Sequence, residues 1–351
     1  MKKYKVGLCA FGMSGKVFHA PFLQQHPHFE LTGIVERKKN DSSRQYPNSK
    51  IYRSVEELIE DKSIEIVVIN TPIQSHFDYC KMAIEAGKDI IIEKPFTINY
   101  HEAKELVNLA KQKNSMLSVF QNRRFDRDYL QVKSVLENRI LGEIKEVEIR
   151  FDRYRTEPSS KEHKENPNLP GSGALHDLGS HLIDQAVQLF GQPKSVYADV
   201  FSMKGSAFAN DYFEVILFYQ NDLRVRLKSS VFAKEDHFAY KVFGSKGAFL
   251  QERTDTQEEE LVNGILPKYN DVWVRSLDSS DGILNYLKEN QLSERTETYS
   301  SPTSYMSYFE AVYQHLVSGS EIPSPAEEIL LNMKIIDAAL ESSKAGKRID
   351  L

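Results

Sequence analysis

Tyr4-Lys5-Val6-Gly7-Leu8-Cys9-Ala10-Phe11-Gly12-Met13-Ser14-Gly15 decides the fold. The run from Tyr4 to Ala10 reads as a buried strand, and a helix opens at about Ser14 and runs to Gln25. A strand, a glycine turn and a helix in that order form the phosphate-binding start of a dinucleotide fold, whose fingerprint is Gly-x-Gly-x-x-Gly. Gly12 would let the backbone approach a pyrophosphate. Gly15 would allow the helix to pack closely on the strand, and the helix N-terminus would offer N–H groups to the anion. Ala10 stands where the first glycine is usual. Glu36 lies 21 residues after Gly15, at the end of a second strand over Leu31–Val35, where a carboxylate binds ribose hydroxyls. Phe11, Gly12, Met13, Ser14, Gly15, Glu36 and Arg37 are therefore the nucleotide-binding candidates. Glu36 would repel a 2′-phosphate and favours NAD. Arg37, Lys38 and Lys39 could pair with that phosphate and favour NADP, or form a solvated loop. The cofactor stands as NAD(P).

Outward from this stretch, strand and helix patterns alternate through the first ~120 residues, which predicts a parallel sheet with crossover helices. Strands are expected at Ile64–Ile69, Asp89–Ile92 and Met116–Phe120, with helices capped at Ser54 and Asn99 and one ending at Gly87. After Arg123 strands dominate: Ile144–Tyr154, Ser195–Phe201, Tyr212–Tyr219, Arg224–Val231, Tyr240–Phe243 and Ala248–Gln251. Arg224–Lys228 alternates at period two, as a half-solvated antiparallel strand does. Arg253–Thr298 is polar with little periodicity and reads as surface loops and short helices, and a last helix spans Pro325–Ala345. The expectation is an α/β chain. A Rossmann dinucleotide-binding domain would cover 1–123, and an α+β domain with a large, mainly antiparallel open sheet would cover 124–351 and bind substrate.

Composition narrows the partners. A net charge of -5 gives no electrostatic case for nucleic acid or an anionic membrane. No apolar run reaches the ~18 residues of a membrane span. Two cysteines, Cys9 and Cys80, offer neither a disulfide framework nor zinc spacing, which fits a reducing cytoplasm. A sheet with one helix-covered face leaves the other for a subunit partner, so a homodimer or higher homo-oligomer is expected.

Two further stretches carry chemistry. Glu93-Lys94-Pro95 follows Ile90-Ile91-Ile92, so a lysine sits at the carboxyl end of a buried strand, where open α/β sheets bind ligands. It reads equally as a surface turn. In Gly171–Gln185, Asp177, His181 and Asp184 are spaced i, i+4, i+7 on one helix face. Such a face could be solvated, could hold a metal although no further ligand cluster is visible, or could perform acid–base chemistry, since histidine titrates near neutral pH. No metal is expected.

Gly12-x-x-Gly15 with Phe18-His19-Ala20-Pro21, Asn70-Thr71-Pro72 with His76, Glu93-Lys94-Pro95, and Gly173 through His181, in that order, resemble the Gfo/Idh/MocA oxidoreductase family. The resemblance spans the chain, and the Gly12–Pro21 loop with Gln121-Asn122-Arg123-Arg124 looks most similar to the branch of NADP-dependent scyllo-inositol dehydrogenases. The family implies hydride transfer between nicotinamide and a secondary hydroxyl or ketone of a cyclitol, sugar or polyol. By that resemblance Lys94 polarises the reacting hydroxyl, His181 relays its proton, and Asp177 orients the imidazole. Glu93 contacts the cofactor, and Thr71, Pro72, His76, Asn122 and Arg123 line the nicotinamide side. The resemblance further implies a cis peptide at Lys94–Pro95. Arg153 and Tyr154, in Asp152-Arg153-Tyr154-Arg155, become substrate candidates. Tyr305, Tyr308 and Phe309 fit core packing better than substrate contact. A nucleotide-sensing regulator and a reductase of unsaturated or imine substrates remain as other readings; the former needs no proton relay.

Overall fold

Runs of isoleucine and valine build the first sheet. In this computed structural model, residues 2–157, 162–235, 237–272 and 280–351 are described. Six parallel strands, β1 (Tyr4–Leu8), β2 (Phe29–Val35), β3 (Lys50–Tyr52), β4 (Ile66–Ile69), β5 (Asp89–Glu93) and β6 (Leu117–Phe120), lie in the order β3-β2-β1-β4-β5-β6. Ile66, Val67, Val68 and Ile69 of β4 and Ile90, Ile91 and Ile92 of β5 are completely buried. Strands buried on both faces need no polar alternation. Burying each of these side chains stabilises by roughly 1.5–3 kcal/mol, so β5 holds its C-terminal residues on a rigid element. The strand order reverses between β1 and β4, which is the ligand-binding crevice of a doubly wound sheet.

Two helices start where a local side chain satisfies one of their first amides. Ser54 Oγ accepts from Glu57 N–H (3.1 Å) and Asn99 Oδ1 from Glu102 N–H (3.0 Å). Asn114 ends the helix Tyr100–Lys113 in a left-handed conformation, φ 53°. The chain divides into two units. Unit one comprises residues 1–122, 256–273 and 304–330; unit two comprises 123–255, 274–303 and 331–351. In unit one, the helix Met306–Ser318 buries Tyr308 and Phe309, with Tyr305 just before it. Phe309 stacks on Phe22 at 5.4 Å, and the Tyr308 hydroxyl meets Ser118 Oγ at 2.7 Å. These three aromatics are core, as their spacing predicted.

Unit two carries a nine-stranded sheet: β7 (Ile144–Arg150), β8 (Ser195–Phe201), β9 (Tyr212–Phe218), β10 (Arg224–Ser230), β11 (Tyr240–Gly244), β12 (Gly247–Gln251), β13 (Gly282–Leu287), β14 (Ser293–Thr298) and β15 (Ile349–Asp350). The order is β14-β13-β12-β11-β7-β10-β9-β8-β15. Only β7 and β10 pair in parallel, so the sheet is mixed and mainly antiparallel. Phe213, Val215 and Leu217 of β9 and Val225 and Leu227 of β10 are buried, while their neighbours are half-exposed. The helix Ser180–Phe190 lies on the buried face, against β7 and β10.

Three expectations need correction. Arg253–Thr298 contains the hairpin β13–β14 as well as a short helix, Gln257–Val262; residues 273–279 lie outside the described set. β14 has no buried face and no apolar period, so its pattern carried no strand signal. β7 ends at Arg150 rather than continuing to Tyr154. There Asp152 Oδ1 accepts Ser230 N–H at 2.9 Å, a side chain taking the place of a ladder carbonyl, and Tyr154 forms an isolated bridge to Phe232. β3 and β15 were not foreseen; at three and two residues they are too short for a period to show.

Candidate active site

In unit one, the turn after β1 is fixed by a side chain from the turn after β4. Asn70 Nδ2 donates to Ala10 O (2.8 Å) and to Ser14 Oγ (3.3 Å), and Asn70 Oδ1 accepts from Ala10 N–H (2.9 Å). Ala10 is not among the residues with positive φ, so this turn places no demand for glycine there. Gly15 is different: a Cβ would stand 2.3 Å from Ala10 O, an impossible approach. At Gly12 a Cβ would meet nothing within 4 Å, so the backbone borders open space that a phosphate can approach. Residues Gly15–His19 then form a π turn that runs into the helix Ala20–Gln25. Pro21 accounts for it: proline supplies no N–H and its ring clashes with the carbonyl four residues back, so a wider turn is accommodated. Phe11 is buried edge-on against Tyr46 at 5.9 Å, so its side chain is a wall of this turn, while Met13 is exposed.

Glu36 stands at the end of β2, as the sequence placed it, but both its oxygens are occupied. Oε2 accepts Asp41 N–H (2.8 Å) and Oε1 accepts Ser42 N–H (2.7 Å), and the residue is 6% exposed. Arg53 holds the same loop from the other side, donating to the carbonyls of Glu36 and Lys39 and to Asn40 Oδ1, each at 2.8 Å.

The end of β5 is anchored through Glu93. Glu93 Oε1 accepts from His19 Nε2 at 2.8 Å, and Glu93 Oε2 accepts from Lys94 N–H at 3.2 Å. His19 is fully buried, 4.5 Å from the Phe120 ring centroid, and its Nδ1 has no hydrogen-bond partner among the described residues. Facing a carboxylate, which can only accept, His19 Nε2 is the donor of this bond. Burial pushes the Glu93 carboxyl up, but the His19 hydrogen bond and the charges of His19, Lys94 and His76 outweigh it, and the net shift is downward. Glu93 is thus an anionic brace for Lys94. The Lys94–Pro95 peptide is cis.

His76 was expected to line the nicotinamide side. It is buried: Nε2 faces Thr71 O (2.9 Å), and Nδ1 faces Pro95 O (3.0 Å) and Phe96 O (3.2 Å). It ties the turn after β4, with Thr71 and Pro72, to the turn after β5. Burial lowers its pKa, against the pull of those carbonyls.

In unit two, a second π turn, Leu175–Gly179, leads into the helix Ser180–Phe190. Asp177 Oδ2 pairs with Lys164 Nζ at 2.8 Å, with the carboxylate 25% exposed. His181 is 3% exposed. Asp184, on the same helix, has partners of its own. It is 2% exposed, accepts from Arg124 Nε and Nη2 at 2.8 Å each, and accepts Asn332 Nδ2 at 2.9 Å. A carboxylate gripped bidentately and capped by an amide is a structural pair. Arg123 and Asn122 are both buried. Arg123 Nη1 donates to Asp126 at 3.1 Å, and its guanidinium lies over the Phe151 ring at 4.7 Å. Burial raises the Asp126 carboxyl to about 8 despite Arg123. Arg153 lies over the same ring at 5.2 Å, while Tyr154 is 56% exposed. No group of metal-ligating side chains occurs among the described residues.

Models of two family domains match nearly the whole chain: "Oxidoreductase family, NAD-binding Rossmann fold" over residues 4–121 and "Oxidoreductase family, C-terminal alpha/beta domain" over residues 133–351. The chain belongs to the Gfo/Idh/MocA oxidoreductase family. It is 36% identical to the uncharacterized oxidoreductase YdgJ of Escherichia coli, covering 97% of this chain and 96% of that one. It is 32% identical to the scyllo-inositol 2-dehydrogenase (NADP(+)) IolW of Bacillus subtilis, covering 99% and 96%. A solved structure of YvaA from Bacillus subtilis superposes with a TM-score of 0.93 at 30% identity over 100% of both chains. For a family with an NAD-binding domain, the turn fits its cofactor: the open backbone at Gly12, the close packing at Gly15 and the helix start beyond them suit a pyrophosphate.

Sequence reasoning missed four supporting residues. Asn70 and His19 stood in quoted motifs without a role. Arg124 also stood in a quoted motif without its partner Asp184, 60 residues on, and Lys164 lay outside every motif.

Proposed function

We propose that the chain is an NAD(P)-dependent dehydrogenase that moves hydride between nicotinamide and a secondary hydroxyl or ketone of a cyclitol, sugar or related polyol. A scyllo-inositol-like compound is the first substrate to test, on the strength of the activity named for IolW. The observation that carries the reading is the Lys94 turn: a lysine at the carboxyl end of β5 whose backbone N–H bonds a carboxylate that a buried histidine holds.

Nicotinamide, when bound, supplies the hydride acceptor. Lys94 donates a hydrogen bond to the reacting oxygen and stabilises the negative charge that develops on it. His181 takes the hydroxyl proton through its imidazole. The electron pair of the broken C–H bond leaves with the hydride, and the pair of the O–H bond becomes the second C–O bond of the ketone. Asp177, steadied by Lys164, orients the imidazole or accepts from a neighbouring hydroxyl. Reduction runs the same steps backwards, with His181 returning the proton. Arg153 and Tyr154 are carried as substrate contacts. We place the protein in the cytoplasm, where its two free cysteines stay reduced, and expect a homo-oligomer through the C-terminal sheet, whose outer face exposes Tyr197, Phe201 and Phe243.

The test is a panel of cyclitols and sugars, each with NAD and with NADP, followed by nicotinamide absorbance. Turnover on a secondary alcohol supports the reading. Tight nucleotide binding without turnover on any polyol would point to a sensor instead.

A further inference from the structure

The turn that carries Asp177 begins without a cap of its own. A helix start leaves backbone amides that need acceptors from outside the helix. Local side chains do not supply them here. Ala174, at the cap position, has none to offer, and Ser172 Oγ donates to Asn166 O at 2.8 Å. The acceptors come from Asn210, in the connection between β8 and β9. Its side-chain Oδ1 accepts Leu175 N–H at 2.9 Å, and its backbone carbonyl accepts Ala174 N–H at 2.7 Å. Gly173 leaves room for this approach. Its φ is +94°, and a Cβ there would stand 2.4 Å from Asn210 Nδ2 and 2.8 Å from Asn210 O. The second glycine of Gly171-Ser172-Gly173 thereby has a physical reason.

The same residues close a ring through the ion pair of Asp177. Gly173 N–H donates to Lys164 O at 3.1 Å, Asp177 N–H donates to Gly173 O at 3.0 Å, and Lys164 Nζ reaches Asp177 Oδ2 at 2.8 Å. Ala209 N–H donates to Glu165 O at 2.8 Å, so residues 209 and 210 grip this ring at both 165 and 174–175. Asp211 fixes the connection itself, accepting Met203 N–H at 2.7 Å and Lys204 N–H at 3.2 Å. Packing adds little at this point. Asn210 is half-buried and borders a cavity of about 370 Å³, whose wall residues Phe201 and Leu340 are exposed to solvent. Hydrogen bonds rather than close packing hold Asn210 against the turn, and shortening its side chain opens no void in the core.

We infer that Asn210 is a positioning residue for the proposed chemistry, a role that rests on the dehydrogenase reading and deepens it. A turn held at two consecutive amides has one rotation about its axis. That rotation sets where the Asp177 carboxylate meets Lys164 and where the His181 imidazole stands on the helix that follows. A misplacement of about 1 Å can cost 10²-fold in rate. Asn210 acts through the turn and touches neither substrate nor nucleotide, so its loss falls on turnover and not on affinity.

The experiment compares Asn210→Ala and Asn210→Asp with the natural protein, on whichever cyclitol or sugar the natural protein oxidises. Alanine removes the acceptor. Aspartate keeps an acceptor of the same shape, which suits a helix N-terminus. Asn210→Ala should lower kcat by about tenfold to hundredfold, with KM and nucleotide affinity within about twofold. It should also displace the alkaline-side limb of the pH–rate profile, which a smaller folded fraction alone leaves in place. Asn210→Asp should recover kcat to within about threefold of the natural protein. Asn210→Leu, of similar size but without the acceptor, repeats the test if the alanine variant does not fold. A folded variant lacking the acceptor that keeps the natural kcat and pH limb overturns the inference and leaves the dehydrogenase reading standing. So does an aspartate variant as slow as the alanine one. Failure of both alanine and leucine variants to fold also overturns it, since Asn210 then holds the fold and not the turn. Absence of turnover by the natural protein on every polyol removes the dehydrogenase reading, and this inference with it.

Discussion

Two helices in this molecule open with a π turn, and they serve function in different ways. The first, Gly15–Gln25 in unit one, presents backbone. Its shape follows from steric facts close in sequence: a glycine that no other residue can replace, a proline that widens the turn, and an asparagine that locks the loop. The second, Leu175–Phe190 in unit two, presents side chains. Asp177 and His181 carry the chemistry proposed for it, while Asp184, on the same helix, is held by Arg124 and Asn332. Backbone sites are set by local geometry; side-chain sites are set by which distant groups reach them. Mutations in the first helix should therefore act on nucleotide affinity, and mutations in the second on turnover or stability.

The sharpest test is His181→Ala. Loss of a general acid–base typically costs 10²–10⁴ in rate, about 2.7–5.5 kcal/mol. The turnover number should fall by that factor and oxidation should lose its alkaline-side gain, with nucleotide affinity within about twofold of the natural protein. A pH–rate profile unchanged by the substitution would defeat the assignment. Lys94→Ala should lower turnover by about 10²–10³ with nucleotide binding retained, because it removes a stabiliser of charge that develops only during reaction.

Asp184→Ala should act on stability instead. Removing one partner of a buried pair costs about 3–5 kcal/mol. Denaturant melts should show that loss, and the folded fraction should turn over within a few-fold of normal. A fall in turnover as large as for His181→Ala would place Asp184 back in the chemistry.

Gly15→Ala should cost about 1–3 kcal/mol of stability, because a Cβ there overlaps Ala10 O. Nucleotide affinity should drop at least tenfold as the turn shifts. Gly12→Ala should weaken nucleotide binding without a change in melting, since that Cβ has room. If both variants melt alike, the division between the two glycines is wrong.

The smallest change concerns acid. Glu93 has its folded pKa held below the usual glutamate value. Its contribution to stability is present above the unfolded value of about 4.3 and is lost as pH falls through the lower folded value. His19→Leu removes the donor, and burial then pushes the carboxyl upward against only the charges of Lys94 and His76. Acid unfolding should begin at higher pH in the variant, measured by circular dichroism. An identical acid limb would show that His19 does not brace Glu93.

Much of this was legible in the chain. Continuous Ile/Val runs announced β4 and β5, period-two alternation announced β10, and glycine with a following helix announced the nucleotide turn. The hairpin β13–β14 was not legible, because β14 buries no face and so carries no apolar period. The i, i+4, i+7 spacing put Asp184 beside Asp177 and His181, yet spacing cannot say which carboxylate meets an arginine.

By itself, then, the sequence determined the fold class, the nucleotide turn and the identity of Lys94, Asp177 and His181 as candidates, since each depends on local pattern or on residue type. Only the tertiary structure decided that Glu36 serves its own loop, that His19 braces Glu93, that His76 clamps two turns, and that Asp184 belongs to the core. Those are partnerships between residues 5 to 148 positions apart, and a hydrogen bond at 2.8 Å is specified by folding, not by spacing along the chain.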